Sequence, residues 1–392
     1  MENAYLIMVN GENNNNKFYN LIDNNDGTFT AEYGRVGKST QRKTYSIYEW
    51  DKKYWEKVGK GYRDVTRLKS EQKATINNDI ENDEVRDLIN KLTGYSQDFI
   101  KKNYTVGAGG VTSAMTEDVQ NTIAEMRRIA ESNGSVRQFN WCIQDILSAI
   151  PRQVVKVSDL LAETSDDFND ILEREQSILN VMQSEVRSRE VMVGGKDMLK
   201  AHGLTIKPVT KKQEKEILSH LDDNTRRHFK RAFKVVNKGT SDRFNKFCTD
   251  NDYKDGDIKF LYHGSRNQNW LGIIQQGLTL NNKAPKTGAM FSKGLYFAPS
   301  SNKSYGYVSL PGTRWNPECS DKGYMAVYKV AVRKPHDVYR HTAECRNFSQ
   351  ADMDRRGCDA VWAHAGQSLR ADEVIVYSEN RCTIEYLIEV GI

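Results

Sequence analysis

Apolar residues follow three regimes along the chain. Between residues 5 and 67 they form short runs. Residues 5–9, Tyr-Leu-Ile-Met-Val, read as a strand, and 47–58 read as a helix running to Gly59. Asn-rich stretches at 10–16 and 24–27 read as turns, the second an Asn-Asp-Gly hairpin signal. Residues 69–83 are rich in Asn, Asp and Glu and read as a linker. From 84 to 190 the apolar period becomes 3.6. Val85, Leu88, Ile89 and Leu92 form one stripe, and Val119, Ile123, Met126 and Ala130 a second. Glu117 and Asp118 are expected in the first turn of that second helix, where they suit its dipole. Phe139, Ile143, Ile146, Leu147 and Ile150 form a third stripe, ended by Pro151, and Phe168, Ile171, Leu172, Leu179 and Met182 a fourth. From about Gly194 strand-like runs take over at 258–262, 323–332, 374–377 and 383–390. The last alternates, Ile384, Tyr386, Ile388 and Val390 on one face and Thr383, Glu385, Leu387 and Glu389 on the other. A mixed or antiparallel sheet with few helices is expected there. The pattern predicts a multidomain α+β protein: a β-rich part over 1–68, a linker over 69–83, helices over 84–192 and a sheet domain over 193–392.

Composition narrows the classes. With 38% hydrophobic and 28% charged residues the chain suits a globular protein. No apolar run approaches the roughly 18 residues of a membrane span, and no signal sequence stands at the N-terminus, so an intracellular protein without membrane contact is expected. None of the six cysteines forms a CxxC pair and none of the seven histidines an HExxH, so reduced thiols and no metal site are expected. Net charge is only +5, but residues 31–68 hold ten Lys/Arg against five Asp/Glu, interleaved with tyrosines and tryptophans. That mixture suits phosphate contacts and stacking on unpaired bases.

Two glycine-rich segments imitate nucleotide motifs. Gly34 to Thr40 ends like a phosphate-binding loop, but Glu32 stands where the first glycine belongs. Gly107-Ala-Gly109-Gly110 begins like a dinucleotide fingerprint, but Thr112 replaces the third glycine and no apolar strand precedes it. A loop between helices is expected instead.

Three later blocks carry chemistry. In the first, an apolar run leads into His263-Gly264-Ser265; Gly264 without a Cβ would let a ligand reach the backbone, flanked by two hydrogen-bonding side chains. In the second, Met290-Phe291-Ser292-Lys293-Gly294-Leu295-Tyr296-Phe297-Ala298 continues to Ser301-Asn302-Lys303-Ser304-Tyr305-Gly306-Tyr307. Tyr296 and Tyr307 could sandwich a flat ring, and on a helix Ser304 and Tyr307 would share a face. In the third, Asp372-Glu373-Val374-Ile375-Val376-Tyr377 puts a carboxylate at the start of an apolar strand, suited to stabilising a developing cation. Alternation sends Glu373, Ile375 and Tyr377 to one face and Asp372, Val374 and Val376 to the other, with Asp372 the competitor for the catalytic role.

Together the blocks resemble the poly(ADP-ribose) polymerase signature, in order and with 32 residues between His263 and Tyr296. The resemblance spans roughly residues 200–392. It implies a split, mostly antiparallel ADP-ribosyltransferase core that uses NAD⁺ as co-substrate. It assigns the His-Tyr-Glu triad to His263, Tyr296 and Glu373, with Lys303 assisting Glu373. The Gly264 backbone and the Ser304 hydroxyl would hold the nicotinamide amide, Tyr307 and Tyr296 would stack on its ring, and His263 and Ser265 would bind the adenosine ribose. The stretch from Glu32 to Gly37, with 60–64, resembles a WGR domain, although Tyr33 stands where the family has Trp. This implies DNA breaks or ends as partner, with Tyr33, Arg35, Lys38 and Arg42 as candidate contacts. The helices resemble the family's autoinhibitory domain. The resemblance thus implies DNA-stimulated transfer of ADP-ribose to protein acceptors, the chain itself included, with polymer elongation. Single transfer and a catalytically dead DNA or ADP-ribose binding module stay as alternatives. In a eukaryotic cell the location would be the nucleus.

Overall fold

The computed structural model describes residues 2–68, 80–105, 110–193, 197–280, 290–313 and 320–392. Most of the expected linker, the Gly107–Gly109 stretch, Gly194 and Cys319 lie outside the described residues. The chain forms two compact units. One holds the described residues up to 68 together with 97–186, and the other holds 80–96 together with 187–392.

The first unit opens with strands β1 (Ala4–Asn10), β2 (Asn15–Asp23), β3 (Thr28–Arg35), β4 (Gln41–Ser46) and β5 (Arg63–Asp64), in antiparallel order β4-β3-β2-β1-β5. The Asn-rich stretches are its turns: Asn14 and Asn25 take the left-handed conformation, with φ of 46° and 58°, that Asn tolerates better than most residues. Helix α1 (Trp50–Val58) closes one face, with Trp50 edge-on to Phe29 at 5.1 Å over Leu6, Leu21 and Ala31. The opposite face joins Ile7, Val65 and Leu68 to the helical core.

Helices α2 (Asp83–Asn103), α3 (Ser113–Glu131), α4 (Val136–Ala149) and α5 (Phe168–Val193) carry the four stripes. Thr112 caps α3, its hydroxyl accepting from the Met115 N–H. The helix therefore begins before Glu117 and Asp118, which lie past the first turn. Asp118 instead binds Arg63 at 3.2 Å and Arg67 at 2.9 Å. The second to fourth stripes share one apolar core. The first stripe does not: Val85, Leu88, Ile89 and Leu92 are fully buried with Leu204, Ile206, Phe233 and Leu387 in the second unit.

That second unit is α+β, as expected. Its strands are β6 (Leu204–Pro208), β7 (Phe229–Asn237), β8 (Ile258–Ser265), β9 (Leu295–Phe297), β10 (Lys322–Ala331), β11 (Pro335–Val338), β12 (Ala360–Ala363), β13 (Glu373–Val376) and β14 (Cys382–Gly391). They form two sheets, β6-β7-β14-β10-β8 and β11-β12-β13-β9. Every pair is antiparallel except β11 with β12. Helices are more numerous than the sequence suggests: α6 (Met198–Ala201), α7 (Lys211–His220), α8 (Asp223–His228), α9 (Lys238–Asp250), α10 (Trp270–Gln276), α11 (Ser301–Tyr305) and α12 (Gln350–Arg356). Most are too short to show a 3.6 period.

The expected alternation of β14 also fails at one point. Tyr328 opposes Ile384 while the preceding Val327 opposes Tyr386, so Glu385 is an extra residue on β14. Beyond this bulge the faces swap. Ile384 and Leu387 share one core, and Tyr386, Ile388 and Val390 another.

Candidate active site

The two sheets meet where β8 and β9 run side by side. The Tyr262 N–H donates to the Ala298 carbonyl at 2.8 Å, and the Ala298 N–H donates back at 2.9 Å. This junction sets His263 beside Tyr296, whose carbonyl accepts from Nδ1 of His263 at 3.0 Å. A carbonyl can only accept, so Nδ1 carries the proton. Trp270, Phe297 and Tyr328 meet the imidazole edge-on or nearly so and fix its plane. Ser265 is held by its neighbours: its hydroxyl oxygen accepts from the Asn269 amide at 3.0 Å and its carbonyl from the Trp270 indole at 3.2 Å.

Close packing within the chain itself also requires glycine at 264. A Cβ there would lie 1.9 Å from the Ser304 carbonyl oxygen. The close approach is by the chain's own α11, which seats Ser304 directly against β8. Ser304 is buried, and its hydroxyl makes no hydrogen bond among the described residues. Tyr307 lies beyond α11 rather than on it. The turn continues, however, because its N–H donates to the Ser304 carbonyl at 3.1 Å, and its side chain is 39% exposed.

Tyr296 pairs with Ile375 across β9 and β13. Its hydroxyl accepts from the Phe291 N–H at 3.1 Å and donates to the Ser292 carbonyl at 2.8 Å. Gly294 permits this pairing, since a Cβ there would lie 2.1 Å from the Ile375 side chain. From α11, the Lys303 ammonium meets Oε1 of Glu373 at 2.5 Å and donates to the Ala371 carbonyl at 3.1 Å. Both side chains are largely buried, 16% and 13% exposed. Four links thus close a ring: Tyr262 with Ala298, Tyr296 with Ile375, Glu373 with Lys303, and Ser304 with Gly264. All three chemistry-bearing blocks lie on it.

The adjacent carboxylates separate as alternation requires. Ile375 and Tyr377, on the Glu373 side, enter one core, and Val374 and Val376, on the Asp372 side, enter another. Asp372 accepts from the Trp362 indole at 2.9 Å and the Ala365 N–H at 2.8 Å, with His364 at 3.4 Å. Burial alone would raise its pKa, but these donors outweigh burial and hold its carboxyl below the usual range. Asp372 is therefore committed to folding the β12–β13 connection.

The four N-terminal candidates divide. Tyr33 stacks on Tyr19 with centroids 5.5 Å apart. Arg35 donates to the Asn14 carbonyl at 2.6 Å, the Asn14 side chain at 3.1 Å and the Val155 carbonyl at 2.9 Å, tying the small sheet to the segment before α5. Arg42 pairs with Glu32 at 2.8 Å on an exposed surface, and Lys38 is exposed. Among the described residues no cluster of metal-ligating side chains occurs, and no helix is long and apolar enough to cross a membrane. Asn269, Phe291, Ser292 and Gly294 support the site without a role assigned from sequence; Phe291, Ser292 and Gly294 fall inside the second block, and Asn269 lies outside all three.

Two family models match this chain: the poly(ADP-ribose) polymerase catalytic domain over residues 210–392 and the WGR domain over residues 2–69. An uncharacterized protein, 101L, of Invertebrate iridescent virus 6 is 28% identical over 182 residues, covering 46% of this chain and 76% of that protein. Poly(ADP-ribose) polymerase 2-A of Oryza sativa subsp. japonica is 31% identical over 145 residues, 37% of this chain and 20% of that protein. The poly(ADP-ribose) polymerase of Drosophila melanogaster is 26% identical over 314 residues, 71% of this chain and 31% of that protein. The chain therefore spans about three-quarters of the viral relative but only a fifth to a third of these two polymerases.

Proposed function

We propose, from the premise that the chain belongs to the poly(ADP-ribose) polymerase family and is an ADP-ribosyltransferase with a WGR domain ahead of its catalytic domain, that DNA breaks or ends stimulate it to move ADP-ribose from NAD⁺ onto protein acceptors, itself included, and to extend the first unit into polymer. The functional parts are 1–68 for DNA, 84–192 for regulation and 193–392 for catalysis. The setting is intracellular, nuclear in a eukaryotic cell.

The observation that carries this reading is the Lys303–Glu373 pair set beside the Gly264–Ser304 contact. The Ser304 hydroxyl and the Gly264 backbone hold the nicotinamide amide, and Tyr307 and Tyr296 flank its ring. His263 and Ser265 take the adenosine ribose. Glu373 engages the nicotinamide ribose and orients the acceptor, and Lys303 steadies Glu373. Cleavage breaks the ribose C1′–N bond, and its electron pair neutralises the pyridinium nitrogen. The acceptor nucleophile bonds to C1′ and gives up its proton. Because the leaving group is already cationic, no general acid is needed, and one carboxylate suffices for the oxocarbenium-like transition state. Arg42 and Lys38 supply phosphate contacts to DNA.

The test is NAD⁺ turnover by the full chain with and without nicked DNA, with products sized on a denaturing gel. Long products and a DNA-dependent rate support the whole reading. Single-unit products leave a mono(ADP-ribosyl)transferase, and no turnover leaves a binding module.

A further inference from the structure

Helix α11 carries both Lys303 and Ser304, yet it is only five residues long. An isolated helix that short does not hold itself together in water, so something else must fix it. Its N-cap residue, Ser300, makes no side-chain capping bond. The capping oxygen comes from Asp222, some 80 residues earlier in the chain. Oδ2 of Asp222 accepts from the Asn302 N–H at 2.9 Å, from the Ser301 hydroxyl at 2.9 Å and from the Ser300 hydroxyl at 2.8 Å. The Asp222 N–H donates to the Ser301 hydroxyl at 2.9 Å, which makes that pair reciprocal. Asp222 is itself the N-cap residue of α8, but its side chain makes no bond to its own helix. It leaves α8 uncapped in order to cap α11. A second tie runs alongside: the Thr225 hydroxyl donates to the Asn302 side chain at 3.0 Å.

The surroundings are consistent with a fixed charge at this point. Burial alone would raise the pKa of Asp222, but the Asn302 N–H and the two serine hydroxyls outweigh burial and hold the carboxyl below its ordinary range. The anchor is also firm. Leu221, just before Asp222, is buried in the core with Tyr262, Met325 and Ile388. The Tyr262 hydroxyl donates to the His220 carbonyl at 2.9 Å, so the α7–α8 corner is tied to β8 itself. Asp222 therefore references α11 to the same strand that carries His263 and Gly264.

We propose that Asp222 is a positioning residue of the transfer reaction: capping α11 from outside, it holds Lys303 against Glu373 and the Ser304 peptide against Gly264. This rests on the reading of the site given under Proposed function. Without the cap, α11 would lose its anchor to the α7–α8 corner, and both of its functional residues would drift together. Misplacement by about 1 Å costs on the order of 100-fold in an oriented reaction. The nicotinamide-holding and the acceptor-activating functions should therefore fall together.

The test compares the full chain with Asp222→Ala, Asp222→Asn, Ser300→Ala/Ser301→Ala and the triple combination. Thermal unfolding gives the folded fraction, calorimetry with nicotinamide gives binding, and NAD⁺ turnover gives kcat and KM per folded molecule. Asp222→Ala should lower kcat by about 10- to 100-fold and weaken nicotinamide several-fold. Asp222→Asn, which keeps an acceptor for the Asn302 N–H, should recover part of both. The serine substitutions should cost little more once Asp222 is gone, because the groups act as one unit. A purely structural role would lower the folded fraction and leave kcat and KM per folded molecule alone, and that result overturns the proposal. Full additivity of the serine and Asp222 effects overturns it as well. If Asp222→Ala does not fold, Asp222→Asn is read in its place against the same two criteria. Lys303→Ala and Glu373→Gln separate the failures. If both retain activity, the reading of the site is wrong. If both are inactive while Asp222→Ala is normal, only the positioning role is wrong.

Discussion

Each unit buries a carboxylate against a cation, and the two pairs differ in how completely they are satisfied. In the first unit both oxygens of Glu175 are occupied. Arg152 reaches them at 3.1 and 2.5 Å, and Arg174 adds a contact at 3.0 Å. The Arg152 guanidinium also lies 5.3 Å over the Tyr104 ring, and the Arg152 carbonyl accepts from Asn16 of the small sheet at 2.9 Å. In the second unit Glu373 meets Lys303 through one oxygen only, and its other oxygen has no partner among the described residues. A lysine ammonium is a point charge on a flexible stem, whereas an arginine fork locks a carboxylate in two places. The closed pair is architecture. The open pair is the one the proposed reaction would use.

The largest effect is expected where the pair is open. Glu373→Gln should cut transfer by about 10²–10⁴-fold while leaving the melting temperature close to that of the parent chain. Nicotinamide release measured alongside calorimetric unfolding would check this, and a variant that loses stability rather than rate would erase the distinction between the pairs.

The closed pair predicts the reverse. Glu175→Gln leaves a buried guanidinium without its partner and should cost about 3–5 kcal/mol of stability, with the rate per folded molecule unchanged. The effect should also depend on pH. Burial alone would raise the Glu175 pKa, but Arg152 and Arg174 outweigh burial and hold it below the ordinary range. A depressed carboxyl stabilises fully above its unfolded value of about 4.3 and loses that contribution as pH falls through the folded value. The stability gap between parent and variant should therefore stay constant from neutral pH down to about 5 and close only in stronger acid. Denaturant titrations across that range would show it.

A smaller effect distinguishes the arginines of the small sheet. Arg42→Ala should weaken DNA binding and reduce the slope of log affinity against log salt by about one. Arg35→Ala should leave that slope unchanged and lower the stability of the first unit by about 1 kcal/mol, because its donors are spent on Asn14 and Val155. Fluorescence titrations at several salt concentrations separate the two, and a slope change in Arg35→Ala would make it a DNA contact after all.

Tyr307→Ala should show the least, a loss of about 0.5–1.5 kcal/mol in nicotinamide affinity beyond the area it buries. Calorimetry with nicotinamide would detect it, and unchanged affinity would remove Tyr307 from the ring-binding wall.

What the sequence conveyed, and what it withheld, follows from range. Local signals were sound: the left-handed Asn25 in its hairpin, the four helical stripes, and the alternation that parts Glu373 from Asp372. Signals set by distant partners were not legible. Asp118 looked like a dipole residue until Arg63 and Arg67 claimed it. Glu385 looked like one more step in an alternating strand, because a bulge is fixed by the opposing strand and not by its own residues. Gly264 showed no sign in the sequence that it must also make room for the Ser304 carbonyl. The motif blocks were legible together, through their order and their family resemblance, and each was weak alone. Two of the strands that bring them together, β9 and β13, have three and four residues, too few to declare a period.

The most direct test of the central claim compares neighbours that differ only in what holds them. ADP-ribose transfer to acceptor protein would be measured per folded molecule for the parent chain, Glu373→Gln and Asp372→Asn under identical NAD⁺ and DNA. Glu373→Gln should lose about 10²–10⁴-fold, and Asp372→Asn should stay within a few-fold of the parent, because its carboxylate serves Trp362 and Ala365. Transfer that survives in Glu373→Gln and collapses in Asp372→Asn would contradict the account.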